Sequence, residues 1–156
     1  MFVHLNTHSV YSEMSGLIPV KKLIQLSKVN GMGSLALTDV NCLSGFINFV
    51  KYCNSMEVKP IAGANLIAKD EDIIVLVENQ IGYENLCRII SKLHDNANQK
   101  VSDMIISYPS GLFILAKNYL VLKQLKPVIS NTHLFIELRP GGSELDAKKL
   151  SKKLQL

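Results

Sequence analysis

The sequence has few cysteines, no long apolar run and no N-terminal targeting pattern, and each absence excludes a class of protein. Its three cysteines, Cys42, Cys53 and Cys87, are widely spaced without a CxxC pair, so neither a disulfide framework nor a zinc knuckle is indicated. The longest apolar runs, such as residues 73–77, are too short to span a bilayer, so no membrane partner is expected. The N-terminus lacks the basic region of a signal peptide, which predicts a cytoplasmic protein.

The bulk composition is that of an ordinary globular protein. Hydrophobic residues make up 47% and charged residues 19% of 156 residues, which predicts one domain over residues 1–156 with a sizeable core. The net charge of +4 is mild. Much of the excess lies in residues 148–153, where a solvated face of a last helix is favoured over contact with DNA.

The apolar pattern alternates between strands and helices, which predicts an α/β fold with a mostly parallel sheet. Strands are predicted at residues 2–5, 34–38, 59–67, 73–77, 111–116 and 133–138, and helices at residues 20–29, 43–55, 83–93 and 143–154. A closed parallel barrel commonly needs about eight strands. The sheet is therefore either open or the front part of a longer domain.

Polar side chains at predicted strand ends are the candidates for chemistry. In a strand, His4, Asn6 and His8 would project from one face, as half of a metal site, although Asn is a poor ligand for a transition metal. His4 is also interpreted as a polar core residue, and Asp39 as a cap of the following helix. The polar residues near the four strand ends are Asn6, His8, Glu13, Ser15, Asp39, Asn41, Asn65, Asp72, Glu78 and Asn79.

Four segments together resemble one known family. They are residues 3–12 (VHLNTHSVYS), 35–41 (LALTDVN), 58–65 (VKPIAGAN) and 77–86 (VENQIGYENL). In this order and spacing they resemble the PHP (polymerase and histidinol phosphatase) domain, in the form found at the N-terminus of the alpha subunit of bacterial DNA polymerase III. The resemblance implies a PHP-type distorted or incomplete TIM-like (βα) barrel.

The resemblance also implies a metal site, which this chain has largely lost. Active members use an HxH pair, a turn Asp, a TDH and a GxE to hold zinc or manganese ions, which generate hydroxide and clamp a phosphoester. The matching positions, all interpreted as vestigial, are Asn6, His8, Ser15, Asp39, Val40 and Asn65. A strand-four His falls near Asp72. We therefore expect no tightly bound metal, no cofactor and no catalytic residue in this domain.

The expected role is structural or partner-docking, within a replicative DNA polymerase. On the resemblance, the chain is an N-terminal fragment of an alpha subunit whose other modules carry nucleotidyl transfer, so the parent protein would be a DNA-directed DNA polymerase. Its expected partners are those modules, a proofreading exonuclease, and DNA through the parent complex. One alternative is a zinc- or manganese-dependent phosphoesterase built on His8, Glu13, Asp39 and Asp72. Another is a free-standing interaction module.

Overall fold

A computed structural model describes residues 2–96, 98–138 and 144–154, with side chains of the last segment described from residue 147. The helices are α1 (Val20–Val29), α2 (Phe46–Ser55), α3 (Gln80–Asp95), α4 (Val101–Ser107), α5 (Tyr119–Leu125) and α6 (Glu144–Leu154). The strands are β1 (Ser34–Leu37), β2 (Lys59–Ala68), β3 (Glu71–Val77), β4 (Leu112–Ala116) and β5 (Leu134–Ile136). This is an α/β fold with two compact units, residues 1–65 and 66–156.

In the first unit, two helices cover a parallel strand pair. β1 pairs with β2 in a register that aligns Ser34 with Lys59. Side chains from β1 and both helices form one core, which includes Ile24, Phe49 and Cys53. All three are fully buried, and burial raises the pKa of the Cys53 thiol to about 11 because the thiolate would lose its hydration.

The predicted first strand is wrong, because residues 2–5 do not form a regular strand. The N-terminal segment still runs beside β1: the His4 carbonyl accepts the Ala36 N–H at 3.1 Å, and the Thr7 carbonyl accepts the Thr38 N–H at 2.9 Å. The N-terminal segment therefore advances three residues, from His4 to Thr7, while the β1 side advances two, from Ala36 to Thr38. The extra residue, at a bend around Leu5, breaks the ladder as a bulge does.

The second unit contains both parallel and antiparallel strand pairs, so the mostly parallel sheet of the prediction is mixed here. β3 pairs antiparallel with β4, whereas β4 pairs parallel with β5. The reversal begins at the two-residue link before β3, where Lys69 and Asp70 have φ values of 46° and 63°. Two consecutive positive φ values are typical of the type I′ turn that connects hairpin strands. The five strands are thus mixed in orientation.

The helices of the second unit are held by specific polar contacts. The Asn79 side chain accepts the Gly82 N–H at 3.1 Å and so caps α3, which begins earlier than predicted. The buried Glu71 carboxylate accepts the Ser102 N–H at 2.8 Å and the Ser102 hydroxyl at 2.7 Å, which fixes α4 to β3. Neither α4 nor α5 was predicted. Among the helices of the described residues, none combines the length and apolar character needed to cross a membrane.

Candidate functional site

Asp39 lies just after β1 and is the most highly connected side chain of the candidate site. It is 1% exposed. Its Oδ1 accepts the Ser9 N–H at 2.6 Å and the Ser12 hydroxyl at 2.6 Å, and its Oδ2 accepts the Ser9 hydroxyl at 2.8 Å. Asp39 therefore fastens the N-terminal loop instead of capping the next helix. The N-cap of α2 is Gly45, without a side-chain hydrogen bond.

The backbone around Asp39 joins two of the other predicted positions. Val40 and Asn65 form an isolated parallel bridge. The Asn65 N–H donates to the Asp39 carbonyl at 3.2 Å, and the Val40 N–H donates to the Ser12 hydroxyl oxygen at 3.0 Å. The Ser12 hydroxyl thus donates to a buried carboxylate and accepts from a backbone amide, so it links Asp39 to the Val40 backbone. Asp39, Val40 and Asn65 are brought together as the sequence predicts.

The loop from Val10 to Ile18 is closed at its base and exposed at its tip. The Val10 N–H donates to the Ile18 carbonyl at 3.1 Å. Gly16 is required here, because a Cβ at this position would lie 1.9 Å from the Ser9 carbonyl oxygen. At the tip, Met14 and Leu17 have relative exposures of 105% and 90%. We call residues 10–18 the N-terminal loop.

His8 and Asn6 line a cleft beside α1. The cleft has a volume of about 330 Å³, and its lining includes His4, Asn6, Thr7 and His8. His4, Asn6 and His8 therefore do face one space, although Thr7 joins them because the segment is irregular. His4 is exposed, and its ring lies edge-to-face against the Phe2 ring, with 4.7 Å between the two centroids. The interpretation of His4 as a core residue is therefore wrong.

The comparison with known families decides how these positions are interpreted. The PHP domain family matches residues 4–140, which is most of the chain. The chain belongs to the PHP domain family.

The curated relatives of this PHP domain are DNA polymerase III alpha subunits. The chain is 32% identical over 127 residues to that of Vibrio cholerae serotype O1 and 34% identical over 127 residues to that of Escherichia coli O6:H1. It is 28% identical over 123 residues to that of Staphylococcus aureus. These matches cover 74–76% of the chain but only 11–12% of each relative. The chain thus spans about a tenth of the length of the relatives it matches.

Solved structures with the same fold are more distant in sequence. One is a protein of Bifidobacterium adolescentis assigned as a metal-dependent phosphoesterase, with a TM-score of 0.61, 11% identity, and coverage of 99% of this chain and 83% of that chain. The other is an amidohydrolase from Chromobacterium violaceum, with a TM-score of 0.62, 12% identity, and coverage of 99% and 84%. At these identities the likeness concerns the fold alone.

The residues at the PHP ligand positions do not fit a zinc or manganese cluster. Asp39 already accepts three hydrogen bonds, and Val40 offers no donor atom. Asn65 is 2% exposed, and its buried Oδ1 accepts no hydrogen bond in the described part of the chain. A neutral amide oxygen contributes no charge to a metal site. Asn6 and Ser15 are both exposed and uncharged.

The alternative ligand set is not assembled either. Glu13 is exposed on the N-terminal loop. Asp72 belongs to the second unit, where its carboxylate pairs with the Lys117 ammonium at 2.9 Å. Within the described ranges, no three His, Cys, Asp or Glu side chains are grouped as metal ligands. The four residues therefore remain a prediction without geometric support.

The sequence interpretation missed the two serines that hold Asp39. Ser9 and Ser12 are 0% and 1% exposed, unusual for serines in a loop. Their three-residue spacing directly after the N-terminal segment is visible in the sequence. Serine hydroxyls pair readily with carboxylates and loop backbone amides, so this spacing was a usable signal.

Proposed function

We propose that this PHP domain is a structural module of a bacterial replicative DNA polymerase III alpha subunit, without metal-dependent catalysis of its own. The observation that carries the proposal is the bonding of Asp39. A metal ion would have to displace hydrogen bonds from Ser9 and Ser12 to bind this carboxylate, and these bonds are short and buried. Hydrogen bonds to a charged group contribute about 1.5–3 kcal/mol each, so displacement is costly.

The residues at the other ligand positions also lower the expected affinity for metal. Metal affinity depends on the number, charge and geometry of the ligands, and a cluster must neutralise several positive charges in one cleft. At positions 6, 15, 40 and 65 the chain has Asn, Ser, Val and Asn. None of these side chains is ionised, so the electrostatic support for a metal cluster is missing.

The proposed partners follow from the relatives and from the exposed loop. We propose that the remaining modules of the alpha subunit contact this domain in the cytoplasm, and that the N-terminal loop docks a proofreading exonuclease. Met14 and Leu17 support docking because large apolar side chains at such exposure are typical of interaction sites. The mixed sheet is proposed to be the front part of a distorted or incomplete (βα) barrel, which the fold likeness supports.

A hydrolysis assay tests the absence of catalysis. The purified chain and its Asp39→Asn variant are incubated with a chromogenic phosphodiester and Zn²⁺ or Mn²⁺. We expect both proteins to show the same background rate, because the Asp39 carboxylate is not available to bind a metal ion that could activate water. Metal-stimulated turnover that Asp39→Asn abolishes in a still-folded protein would instead establish the altered-ligand phosphoesterase.

A further inference from the structure

The net positive charge of the chain is concentrated around its last two helices. Residues 117–156 hold eight of the 17 Lys and Arg residues but only three of the 13 Asp and Glu residues. This segment therefore has a formal charge of +5, and the rest of the chain has −1, within the total of +4. The charge is not a uniform property of the surface.

Four lysines of α6 form the centre of this charge. Lys148, Lys149, Lys152 and Lys153 are exposed, and we call them the α6 lysine surface. At i, i+1, i+4 and i+5 they occupy two adjacent rows, about 8 Å long along the helix axis. Lys152 and Lys153 lie in the last turn, where their positive charges interact favourably with the negative end of the helix dipole.

Contacts with α5 hold α6 in place. The Lys153 ammonium lies 4.3 Å from the centroid of the Tyr119 ring. Lys126 donates from its Nζ to the Leu154 carbonyl at the end of α6. The Leu154 side chain is 4% exposed, so the end of the helix is packed against the unit. The lysines are therefore presented on a fixed helix, and α6 lies beyond residues 4–140, which match the family.

We propose that the α6 lysine surface binds the phosphate backbone of duplex DNA, independently of sequence. A protein partner is disfavoured because lysine is depleted at protein interfaces. A membrane is disfavoured because a membrane-surface helix needs an exposed apolar face, whereas Leu154 of α6 is buried. Duplex DNA carries one charge per about 1.7 Å along its axis, so four closely spaced ammonium groups match it well. This proposal goes beyond the proposed function, in which DNA is reached only through the parent complex, and it is independent of the metal site.

Fluorescence anisotropy with labelled mixed-sequence duplex DNA over a range of salt concentrations tests the proposal. The four α6 lysines are replaced by Gln in one variant, and the exposed Lys21, Lys22, Lys51 and Lys59 of the first unit in a matched control. We expect the α6 variant to lose about tenfold or more in affinity at low salt, with the slope of log K against log salt falling by about 2–4. The control should keep both values.

A third variant separates charge from structure. Replacing the α6 lysines by Arg retains the charges and should retain binding. Equal losses in the α6 and control variants would overturn the proposal, since net charge alone would then account for binding. So would no DNA binding by the wild type at low salt. Equally strong, lysine-dependent binding to polyglutamate or to phosphatidylserine vesicles would assign the surface to an acidic protein or a membrane instead.

Discussion

Asp39 stands at a predicted ligand position but is bound by groups of the protein itself. The resemblance to active PHP members implies a metal-ligand role for this position. Here the Ser9 amide and the hydroxyls of Ser9 and Ser12 occupy the carboxylate, at 2.6–2.8 Å. The charge is compensated by oriented dipoles rather than by a cation. Through these hydrogen bonds Asp39 fastens the N-terminal loop to the end of β1.

The stability of an Asp39→Asn variant measures this role. An amide has the same shape but lacks the charge, and its NH₂ group would face donors from Ser9 and Ser12. We expect a loss of about 2–4 kcal/mol in the free energy of unfolding in urea. Glu13→Gln, on the same loop but exposed, is the matched control and should change it by less than about 0.5 kcal/mol. Equal stability of both variants would show that the Asp39 bonds contribute nothing.

The sequence indicated the strand ends but not the hydrogen bonds made there. Asp39 and Asn65 were singled out because strand ends can be found from apolar patterns. Their bonding was not predictable in the same way, because it depends on where the irregular N-terminal segment places Ser9. The exposure of His4 was missed for the same reason.

The N-terminal loop depends on the contacts at its base. The bond between Val10 and Ile18 closes it, and Ser12 ties it to Asp39. Holding the base reduces the conformational freedom that the tip would otherwise lose on binding a partner. The exposed Met14 and Leu17 are thus presented by an ordered loop, which is the arrangement that an apolar docking element needs.

Docking through this loop is tested by co-purification with the proofreading exonuclease of the same organism. A Met14→Asp, Leu17→Asp variant should lose the interaction, because a charge cannot enter an apolar pocket without paying its desolvation. Val29→Asp, Ile47→Asp is the matched control, since both residues are exposed on helices of the same unit. Retained binding by the loop variant, or no binding by the wild type, would remove the exonuclease from the proposal.

Elements with strong apolar periodicity were predicted well, and the irregular ones were not. α1 has the predicted bounds of residues 20–29, and β4 differs by one residue. A turn was expected between the predicted strands at residues 59–67 and 73–77, but its hairpin form was not, because the positive φ values of Lys69 and Asp70 occur without Gly or Asn. α4 and α5 have only seven residues each, too few for a clear helical period. Residue 143, the predicted start of the last helix, lies outside the described residues.

At the scale of the molecule, the proposed function separates the fold from metal chemistry. The PHP match over residues 4–140 and the TM-scores of 0.61 and 0.62 identify the fold. Apolar cores and strand pairing determine that fold, and neither requires the ligand side chains. On the proposed function, the residues at positions 6, 40 and 65 are therefore compatible with an intact domain, and that domain acts through its surfaces.

Metal content is the most direct test of this separation. The chain is purified without chelator, exposed to equimolar Zn²⁺ or Mn²⁺, desalted and measured by plasma mass spectrometry. An Asn6→His, Ser15→Asp, Val40→His, Asn65→Glu variant with the PHP ligands restored serves as the comparison. We predict less than about a tenth of an equivalent in the natural chain and a clear increase in the restored variant. One equivalent or more of tightly held zinc or manganese in the natural chain would contradict the central claim.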